Sequence, residues 1–375
     1  MWIVYLAATA VCLGISFYMY RFVRRIAVTA GLDSEKKRVK IPLMLAGLAL
    51  GLSCLNISSV ITVVILHLFF LALIFQLVNF IFKKAFSKRY SDGFFLWKKV
   101  YGLGVIPIFL TAGMLIFGYI NMNNVVSTEY SVKTDKNIRA EGYKIALIAD
   151  VHYGISLDYD ELYEKCREID AQNPDIVVLC GDIVDNSTTK EGLNELFGAL
   201  GSIRSNFGTF YVFGNHDRPT KLLSANFNEN DLVSAITSNG ITILQDAVYE
   251  INGELTLVGR EDRSASRQKE RASLESLLSS VDRGSYILTL DHQPCEYEEN
   301  SRSGVDLILS GHTHAGQFFP VNLLQQIIKF NDAVYGHYFV GENTQAIVTS
   351  GFAGWGYPMK TVANSEYVII NIQSK

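Results

Sequence analysis

The apolar residues of this chain are concentrated in its first 120 positions, and this uneven distribution limits what the chain can fold into. Four stretches there are predominantly apolar: 2–20, 41–55, 60–82 and 100–120. A helix needs about 20 apolar residues to cross a bilayer. These stretches predict an α-helical membrane domain of about four transmembrane helices over residues 1–121, then a linker at 122–142 and a second domain at 143–375.

Basic residues between the apolar stretches predict how the chain is oriented. They fall in the first and third connections: Arg21, Arg24, Arg25, Lys36, Lys37, Arg38 and Lys40, then Lys83, Lys84, Lys88, Arg89, Lys98 and Lys99. The short link at 56–59 carries none. By the positive-inside rule both basic loops face the cytoplasm. The prediction is a multi-pass protein of the cell membrane whose second domain lies on the extracytoplasmic side.

The second domain alternates short apolar runs with helical patterns from Lys144 onwards. Residues 144–149, 176–180 and 209–213 predict strands, and 241–258 and 345–372 predict consecutive strands. An amphipathic helix is predicted by apolar residues at i, i+3, i+4 and i+7, which are Leu193, Leu196, Phe197 and Leu200. The mixture is typical of a sheet-rich α/β layered domain whose first strands are parallel.

Metal-type side chains follow the ends of apolar runs in five segments. These are Asp150-Val151-His152, Gly181-Asp182, Gly214-Asn215-His216-Asp217, Asp291-His292 and His312-Thr313-His314. Because ligand sites collect at the carboxyl ends of strands in open α/β sheets, we expect the segments to converge. Their nitrogen and oxygen donors, without a thiolate, suit two divalent ions such as Mn, Fe or Zn. The candidate ligands are Asp150, His152, Asp182, Asn215, His292, His312 and His314.

A pair of ions in such a site predicts phosphate chemistry. Ions about 3.5–4 Å apart hold a bridging water, lower its pKa and neutralise charge on a phosphoryl group. His216 is then left to protonate the leaving oxygen or to hydrogen-bond the phosphate, and Asp217 to orient His216. The expected reaction is hydrolysis of a phosphoester or pyrophosphate bond by attack of the bridging hydroxide.

The alternative for each segment is ordinary turn chemistry, since Asp, Gly and Asn clusters commonly form turns after strands. Histidine usage argues against it for the whole set. Six of the seven histidines lie outside the apolar stretches, and five of those six fall in these segments. Turn formation has no reason to recruit histidine so selectively, so a metal site is favoured.

The ordered segments, including Gly181-Asp182-Ile183-Val184-Asp185 and His292-Gln293-Pro294, resemble the signature blocks of the calcineurin-like metallophosphoesterases over roughly residues 143–372. The resemblance implies a sandwich of two mixed sheets flanked by helices, with a dinuclear centre at the strand ends. It also implies a division of roles. Asp150, His152 and His314 would hold the first metal, and Asn215, His292 and His312 the second. Asp182 would bridge them, and His216 would be the catalytic histidine.

The nearest likeness is to membrane-anchored bacterial members, including relatives of lipid-sugar pyrophosphatases. Such proteins often carry an arginine in a Gly-rich, Pro-containing loop near the active site, whereas this chain has Lys360 after the stretch 351–359. Lys360 is expected to act there as a point charge without bidentate phosphate geometry. Neighbouring aromatic residues are expected mainly in the core rather than in a substrate groove: Phe318, Phe319, Phe352, Trp355 and Tyr357.

The sequence thus predicts a phosphate-containing substrate that is extracellular or membrane-associated, with lipid-linked compounds included. A net charge of −4 and the absence of a basic stripe lead us to expect no nucleic-acid partner. Two alternatives stay open. One is a tethered phosphodiesterase or nucleotidase for soluble substrates, and the other is a non-catalytic membrane sensor that uses the domain as a ligand reader. The sensor is disfavoured because every ligand and catalytic position is present.

Overall fold

The computed structural model describes residues 2–56, 59–86, 90, 93–218, 226–267 and 271–375. The chain divides into two compact units, Met1–Gly118 and Tyr119–Lys375. The predicted link between the second and third apolar stretches lies partly outside the described residues, which omit Ile57 and Ser58. Lys88 and Arg89 of the second basic loop also lie outside them.

Apolar helices form the described part of the first unit. They are α1 (Trp2–Thr29), α2 (Lys37–Leu52), α3 (Val60–Ala85), α4 (Phe95–Gly102) and α5 (Val105–Asn123), the last of which ends within the second unit. Within the described residues, three segments are long and apolar enough to cross a membrane: Lys37–Leu55, Val60–Ala85 and Val105–Asn123. Helix α1 carries the first apolar stretch and continues beyond it to Thr29. The predicted membrane domain of about four helices is confirmed in outline.

Two glycines allow α2 to lie directly against α1. A Cβ added to Gly47 would lie 2.5 Å from the Cα of Tyr20, and one added to Gly51 would lie 2.5 Å from the Cα of Ser16. Both distances are far too short for a real side chain. Small residues spaced by four are a common way to bring two membrane helices into backbone contact, and here Gly47 and Gly51 have that role.

The second unit contains two six-stranded mixed sheets. The first has the order β1-β12-β2-β3-β4-β5 and the second β10-β11-β9-β8-β7-β6. The strands are β1 (Val125–Thr134), β2 (Tyr143–Ile148), β3 (Ile176–Cys180), β4 (Thr209–Val212), β5 (Ile241–Ile243), β6 (Ala247–Ile251), β7 (Leu255–Gly259), β8 (Tyr286–Leu290), β9 (Leu307–Ser310), β10 (Gly336–Val340), β11 (Thr344–Val348) and β12 (Ser365–Ser374). The helices are α6 (Tyr159–Ala171), α7 (Lys190–Gly201), α8 (Glu229–Ser238), α9 (Leu274–Leu277), α10 (Tyr297–Arg302) and α11 (Val321–Ile328).

Alternation along each strand explains why the sheets pack face to face. In β2, Ile145 and Leu147 join an apolar cluster shared with strands of the second sheet, whereas Ala146 and Ile148 face the cluster that contains α6, α7 and α8. Successive side chains of a strand point to opposite faces, so a strand buried on both faces is apolar throughout. The predicted sandwich flanked by helices is confirmed, and β2, β3, β4 and β5 are parallel as expected.

Part of the segment predicted as a linker, Val125–Thr134, is a strand of the first sheet. Strand β1 pairs in parallel with β12 over ten residues, from Val125 beside Ser365 to Thr134 beside Ser374. Its polar composition concealed it, because β1 is an edge strand on which most alternate side chains remain in contact with water. A second correction concerns residues 345–372, where β11 and β12 are separated by a long loop over 349–364.

Candidate metal centre

The candidate ligands lie where strands end, and several of them occupy left-handed backbone conformations. Five have φ between 44° and 71°: Asp150, His152, Asp182, His312 and His314. This region is unfavourable for residues other than glycine and persists only where the surrounding structure enforces it. Such residues cluster at functional sites, so the backbone singles out the same positions as the sequence motifs.

Asp150, His152 and His314 form the first ligand group. The Nε2 atoms of His152 and His314 are 3.2 Å apart, and His314 Nε2 is 3.6 Å from Asp150 Oδ1. The other ring nitrogen of each histidine has its own acceptor: His152 Nδ1 lies 3.2 Å from Asp185 Oδ2, and His314 Nδ1 lies 3.2 Å from the Ala353 carbonyl oxygen. With Nδ1–H donating, both Nε2 lone pairs point at one place, as metal ligation requires.

Asp182, His292 and His312 form the second ligand group, and the buried Asn215 Oδ1 is a further candidate ligand. His292 Nδ1 donates to the Cys180 carbonyl oxygen at 2.8 Å, which directs its Nε2 towards Asp182 Oδ2 at 3.0 Å. Among the described residues, Asn215 Oδ1 and His312 Nδ1 are buried without a hydrogen bond, and His292 Nε2 faces another candidate ligand, Asp182 Oδ2. Buried polar atoms are almost always satisfied. A divalent cation that accepts nitrogen and oxygen ligands fits all three.

Asp182 lies between the two groups. Its Oδ2 is 3.0 Å from His292 Nε2 and 3.9 Å from His152 Nε2, while its Oδ1 accepts a 2.7 Å hydrogen bond from the His216 backbone N–H. The preceding Gly181 has φ +80°, and a Cβ there would lie 2.6 Å from His292 Nδ1. Glycine is required at this position for both reasons, since a side chain would displace a candidate ligand.

Charge and burial shift the pKa values of the two histidines of the second group in opposite directions. Burial opposes a proton on His292, but the carboxylates of Asp182 and Asp150 outweigh it and raise its pKa well above the ordinary value. Burial, together with the neighbouring His292, lowers the pKa of His312 to about 4. A site that keeps one imidazole neutral while its carboxylates attract positive charge suits a cation.

His216 stands at the rim of the centre, with 24% of its side chain exposed. Its Nδ1 lies 3.6 Å from Asp185 Oδ2, and its ring lies 5.2 Å from the His152 ring. Trp355 covers its other side, with the ring centroids 5.0 Å apart. Burial lowers the pKa of His216. The His216 imidazole is therefore accessible to a bound phosphate ester.

Asp217, which the sequence predicts to orient His216, has its carboxylate engaged by backbone N–H groups of two loops. The Asp217 carboxylate accepts hydrogen bonds from four backbone N–H groups, those of Gly214, Asp182, Ile183 and Val184. It is fully buried and ties the loop after β3 to the loop after β4. Its role is therefore to position the two loops that carry Asp182 and Asn215.

Asp185 contacts the rings of both His152 and His216. The ligand set predicted from the sequence did not include it. Its Oδ2 lies near both His152 Nδ1 and His216 Nδ1. A signal was available, because Asp185 closes the motif that begins at Gly181. Composition alone could not separate Asp185 from Asp217, since both acids lie in motif segments and only the direction of each side chain distinguishes them.

Lys360 does not replace an active-site arginine, contrary to the prediction. Its side chain is completely buried, and Nζ donates to the carbonyl oxygens of Ser350 at 2.6 Å and Gly351 at 3.1 Å. Gln317 holds the same loop from the other side, since its Nε2 donates to the carbonyl oxygens of Trp355, Tyr357 and Met359. Lys360 and Gln317 thus fix the loop that places Trp355 beside His216.

Most of the aromatic residues near the site belong to the core, as favoured from the sequence. Phe352 is completely buried, and Phe318 and Tyr357 are buried and pack edge to face on each other. Trp355 is the exception, with 41% of its surface exposed beside the catalytic candidate His216. It is therefore the aromatic side chain of this set best placed to touch a substrate.

Comparison with known proteins points to the same family as the sequence motifs. A family model described as calcineurin-like phosphoesterase matches residues 143–316. An uncharacterized metallophosphoesterase of Campylobacter jejuni is 31% identical over 68% of this chain and 67% of its own length. One from Helicobacter pylori is 32% identical over 66% of this chain and 62% of its own length.

A transmembrane protein with a metallophosphoesterase domain from Danio rerio is 29% identical over 72% of this chain and 62% of its own length. The matches therefore span about two-thirds of these relatives. Among solved structures, a dimetal phosphatase from Danio rerio is 14% identical with a TM-score of 0.40, covering 62% of this chain and 99% of that chain.

Proposed function

The chain belongs to the calcineurin-like metallophosphoesterase family, and from that premise we propose that its second unit is a dinuclear phosphohydrolase. Its substrate carries a phosphoester or pyrophosphate bond. The proposal rests chiefly on the second ligand group: one ligand atom each of Asp182, His292 and His312 lies within 4.8 Å of the others, and among the described residues Asn215 Oδ1 and His312 Nδ1 are buried without a hydrogen bond.

The candidate residues divide between two ions. Asp150, His152 and His314 would hold one, Asn215, His292 and His312 the other, and Asp182 would contact both. Manganese, iron and zinc all accept this nitrogen and oxygen set. Such ions supply a nucleophile at neutral pH and neutralise charge on the phosphoryl group.

The chain's own side chains would supply the proton and the positioning. His216 reaches the phosphate from the rim and donates a proton to the leaving oxygen. Asp185 lies near both His216 and His152 and so fixes the orientation of the two rings. Trp355 packs beside His216 with the ring centroids 5.0 Å apart and so limits the positions open to its imidazole.

Metal removal tests the proposed chemistry. Dialysis of the purified full-length protein against a chelator should abolish hydrolysis of a generic aryl phosphodiester, and Mn²⁺ should restore it, because the nucleophile depends on the ions. The release of nitrophenol measures the rate. Mg²⁺ serves as the control ion, since it prefers oxygen ligands and fits a histidine-rich set poorly. Activity that survives complete chelation would contradict the proposal.

We assign the second unit to the extracytoplasmic side, where its substrate is membrane-associated or extracellular. The assignment rests on the basic loops and on the positive-inside rule. A tethered enzyme for soluble phosphodiesters or nucleotides is the alternative. A rate comparison among lipid phosphates, lipid-linked diphosphates and nucleotides distinguishes them, because only a membrane-directed enzyme should prefer the lipids.

The orientation can be tested with a thiol reagent that does not cross membranes. The five native cysteines are all buried, so a cysteine introduced at the exposed Asn137 gives a clean signal. The variant Asn137→Cys should be labelled in intact cells. A matched variant, Lys36→Cys at an exposed position of the first basic loop, should be labelled only after lysis. The reverse pattern would place the catalytic unit in the cytoplasm.

A further inference from the structure

The short helix α11 presents its apolar face to the surface rather than to the core. Its apolar side chains are exposed: Leu323 by 45%, Leu324 by 45%, Ile327 by 76% and Ile328 by 53%. Two of its three polar side chains point inwards, since Asn322 Oδ1 and Gln325 Oε1 are buried oxygens, whereas Gln326 is exposed. A surface helix normally turns its apolar face to the core and its polar face to water. Helix α11 does the opposite, and none of its residues is buried.

The exposed apolar surface extends beyond the helix and is almost free of charge. Phe330 follows α11 and is 73% exposed. Between Asp306 and Asp332 the sequence has a single charged residue, Lys329. Soluble proteins rarely expose contiguous apolar surface of this kind without a partner. We call the set Leu323, Leu324, Ile327, Ile328 and Phe330 the α11 face.

The α11 face is held rigidly at both ends. Gly316 packs against the first turn so closely that a Cβ there would lie 2.6 Å from the Asn322 Cβ. Beyond the helix, the Asp332 N–H donates to the Pro294 carbonyl oxygen at 2.9 Å, and the Thr313 hydroxyl donates to the Val334 carbonyl oxygen. The apolar face is therefore a built feature of the second unit.

A network of hydrogen bonds within the second unit connects the α11 segment to the residues at the end of α5. The Asn121 side chain donates to the carbonyl oxygens of Lys360 at 3.0 Å and Ala363 at 2.6 Å. Between them, the Thr361 N–H donates to the Gln317 carbonyl oxygen, and the Thr361 hydroxyl accepts from the Phe319 N–H. Residues 360–363 thus touch both the lead into α11 and Asn121.

Asn121 lies near the carboxyl end of an apolar segment long enough to span a membrane, so the bilayer surface lies only a few residues away along the chain. We propose that the α11 face rests in the interfacial region of the same bilayer. Interfacial helices bury a face of bulky apolar residues at the boundary between headgroups and acyl chains, and Leu324, Ile327 and Phe330 provide such a face. The neighbouring Lys329 can extend its ammonium group to the headgroups. The occupant of the face is the lipid surface.

This contact would place the metal centre close to the lipid. Helix α11 begins seven residues after His314, and Gly316 packs against its first turn. A phosphate group carried at the level of the lipid headgroups would then lie close to the candidate ligands. This consequence depends on the proposed function, whereas the contact between α11 and the bilayer does not.

A fluorescent probe on the α11 face tests the contact without substrate or metal. The full-length variant Ile327→Cys would be labelled with the environment-sensitive fluorophore NBD and placed in lipid nanodiscs, one chain per disc. Its emission should shift to shorter wavelength and be quenched by lipids that carry a nitroxide on the acyl chain. The control is Glu164→Cys on α6, an exposed position on the other helical layer, which should show neither effect.

Two outcomes would overturn the proposal. One is water-like emission at position 327 that nitroxide lipids do not quench. The other is a blue shift that nitroxide lipids do not quench and that occurs only in discs holding several chains, not in discs holding one. Such a result would identify a second copy of the chain as the occupant. Because neither readout depends on hydrolysis, a failed lipid contact is distinguishable from a failed catalytic proposal.

Discussion

The variant Asp182→Asn is expected to lose nearly all activity and much of its bound metal. Asp182 lies between the two ligand groups, with Oδ2 at 3.0 Å from His292 Nε2 and 3.9 Å from His152 Nε2. Mutation of an outer-shell partner of a metal ligand typically costs about 10–100-fold in metal affinity or activity, and loss of the charge on a candidate ligand is expected to cost at least as much. Elemental analysis of the purified variant and hydrolysis of an aryl phosphodiester measure the two effects.

Asparagine tests the charge while keeping the shape. The amide oxygen can still accept the hydrogen bond that the His216 backbone N–H makes to Asp182 Oδ1, so the loop should remain folded. Asp158→Asn is a matched control, because Asp158 caps α6 on the surface and asparagine caps helices equally well. Wild-type metal content and activity in Asp182→Asn, with an unchanged melting temperature, would refute the role given to this carboxylate.

The variant His216→Ala is expected to lower kcat by about 10²–10⁴-fold, the usual contribution of a general acid, while metal content stays at the wild-type level. His216 is partly exposed, and its only contact with the ligand groups through a hydrogen bond is made by its backbone. Removing the imidazole should therefore leave the ligands in place. Steady-state kinetics and metal analysis on the same preparation measure the two quantities.

His337→Ala is the matched control for the histidine. His337 is half-buried in β10, where its Nε2 pairs with Gln345 Oε1 at 2.8 Å, and it lies outside the candidate centre. Its loss should leave kcat unchanged. If His216→Ala lost metal in proportion to activity, His216 would be a ligand rather than a proton donor. If it kept full activity, the proposed proton transfer would be wrong.

Much of the architecture could be predicted because its signals are local. Apolar length predicted the membrane helices, and short apolar runs such as 144–149 predicted the buried strands. Strand β1 escaped because an edge strand carries polar residues such as Glu129 and Lys133 on its open face. Its partner β12 lies more than 200 residues away, and pairing over that separation leaves no local pattern.

The candidate centre, like the fold, could be predicted from the sequence only in part. Five short segments predicted which residues would converge, since carboxyl ends of parallel strands meet at one edge of a sheet. They could not predict that Asp217 would bind backbone N–H groups while Asp185 faces His152, because that depends on side-chain directions set by left-handed residues such as Asp182. The burial of Lys360 was equally hidden, since the loop that encloses it is held by Gln317, from a different part of the chain.

The central claim is that two ions act together in one site. Its most direct test is a titration of Mn²⁺ into chelated full-length protein, with bound metal per chain and the rate of phosphodiester hydrolysis measured on the same samples. We predict that full activity is reached only when two ions are bound per chain. Full activity with one bound ion, or with none, would contradict the dinuclear account.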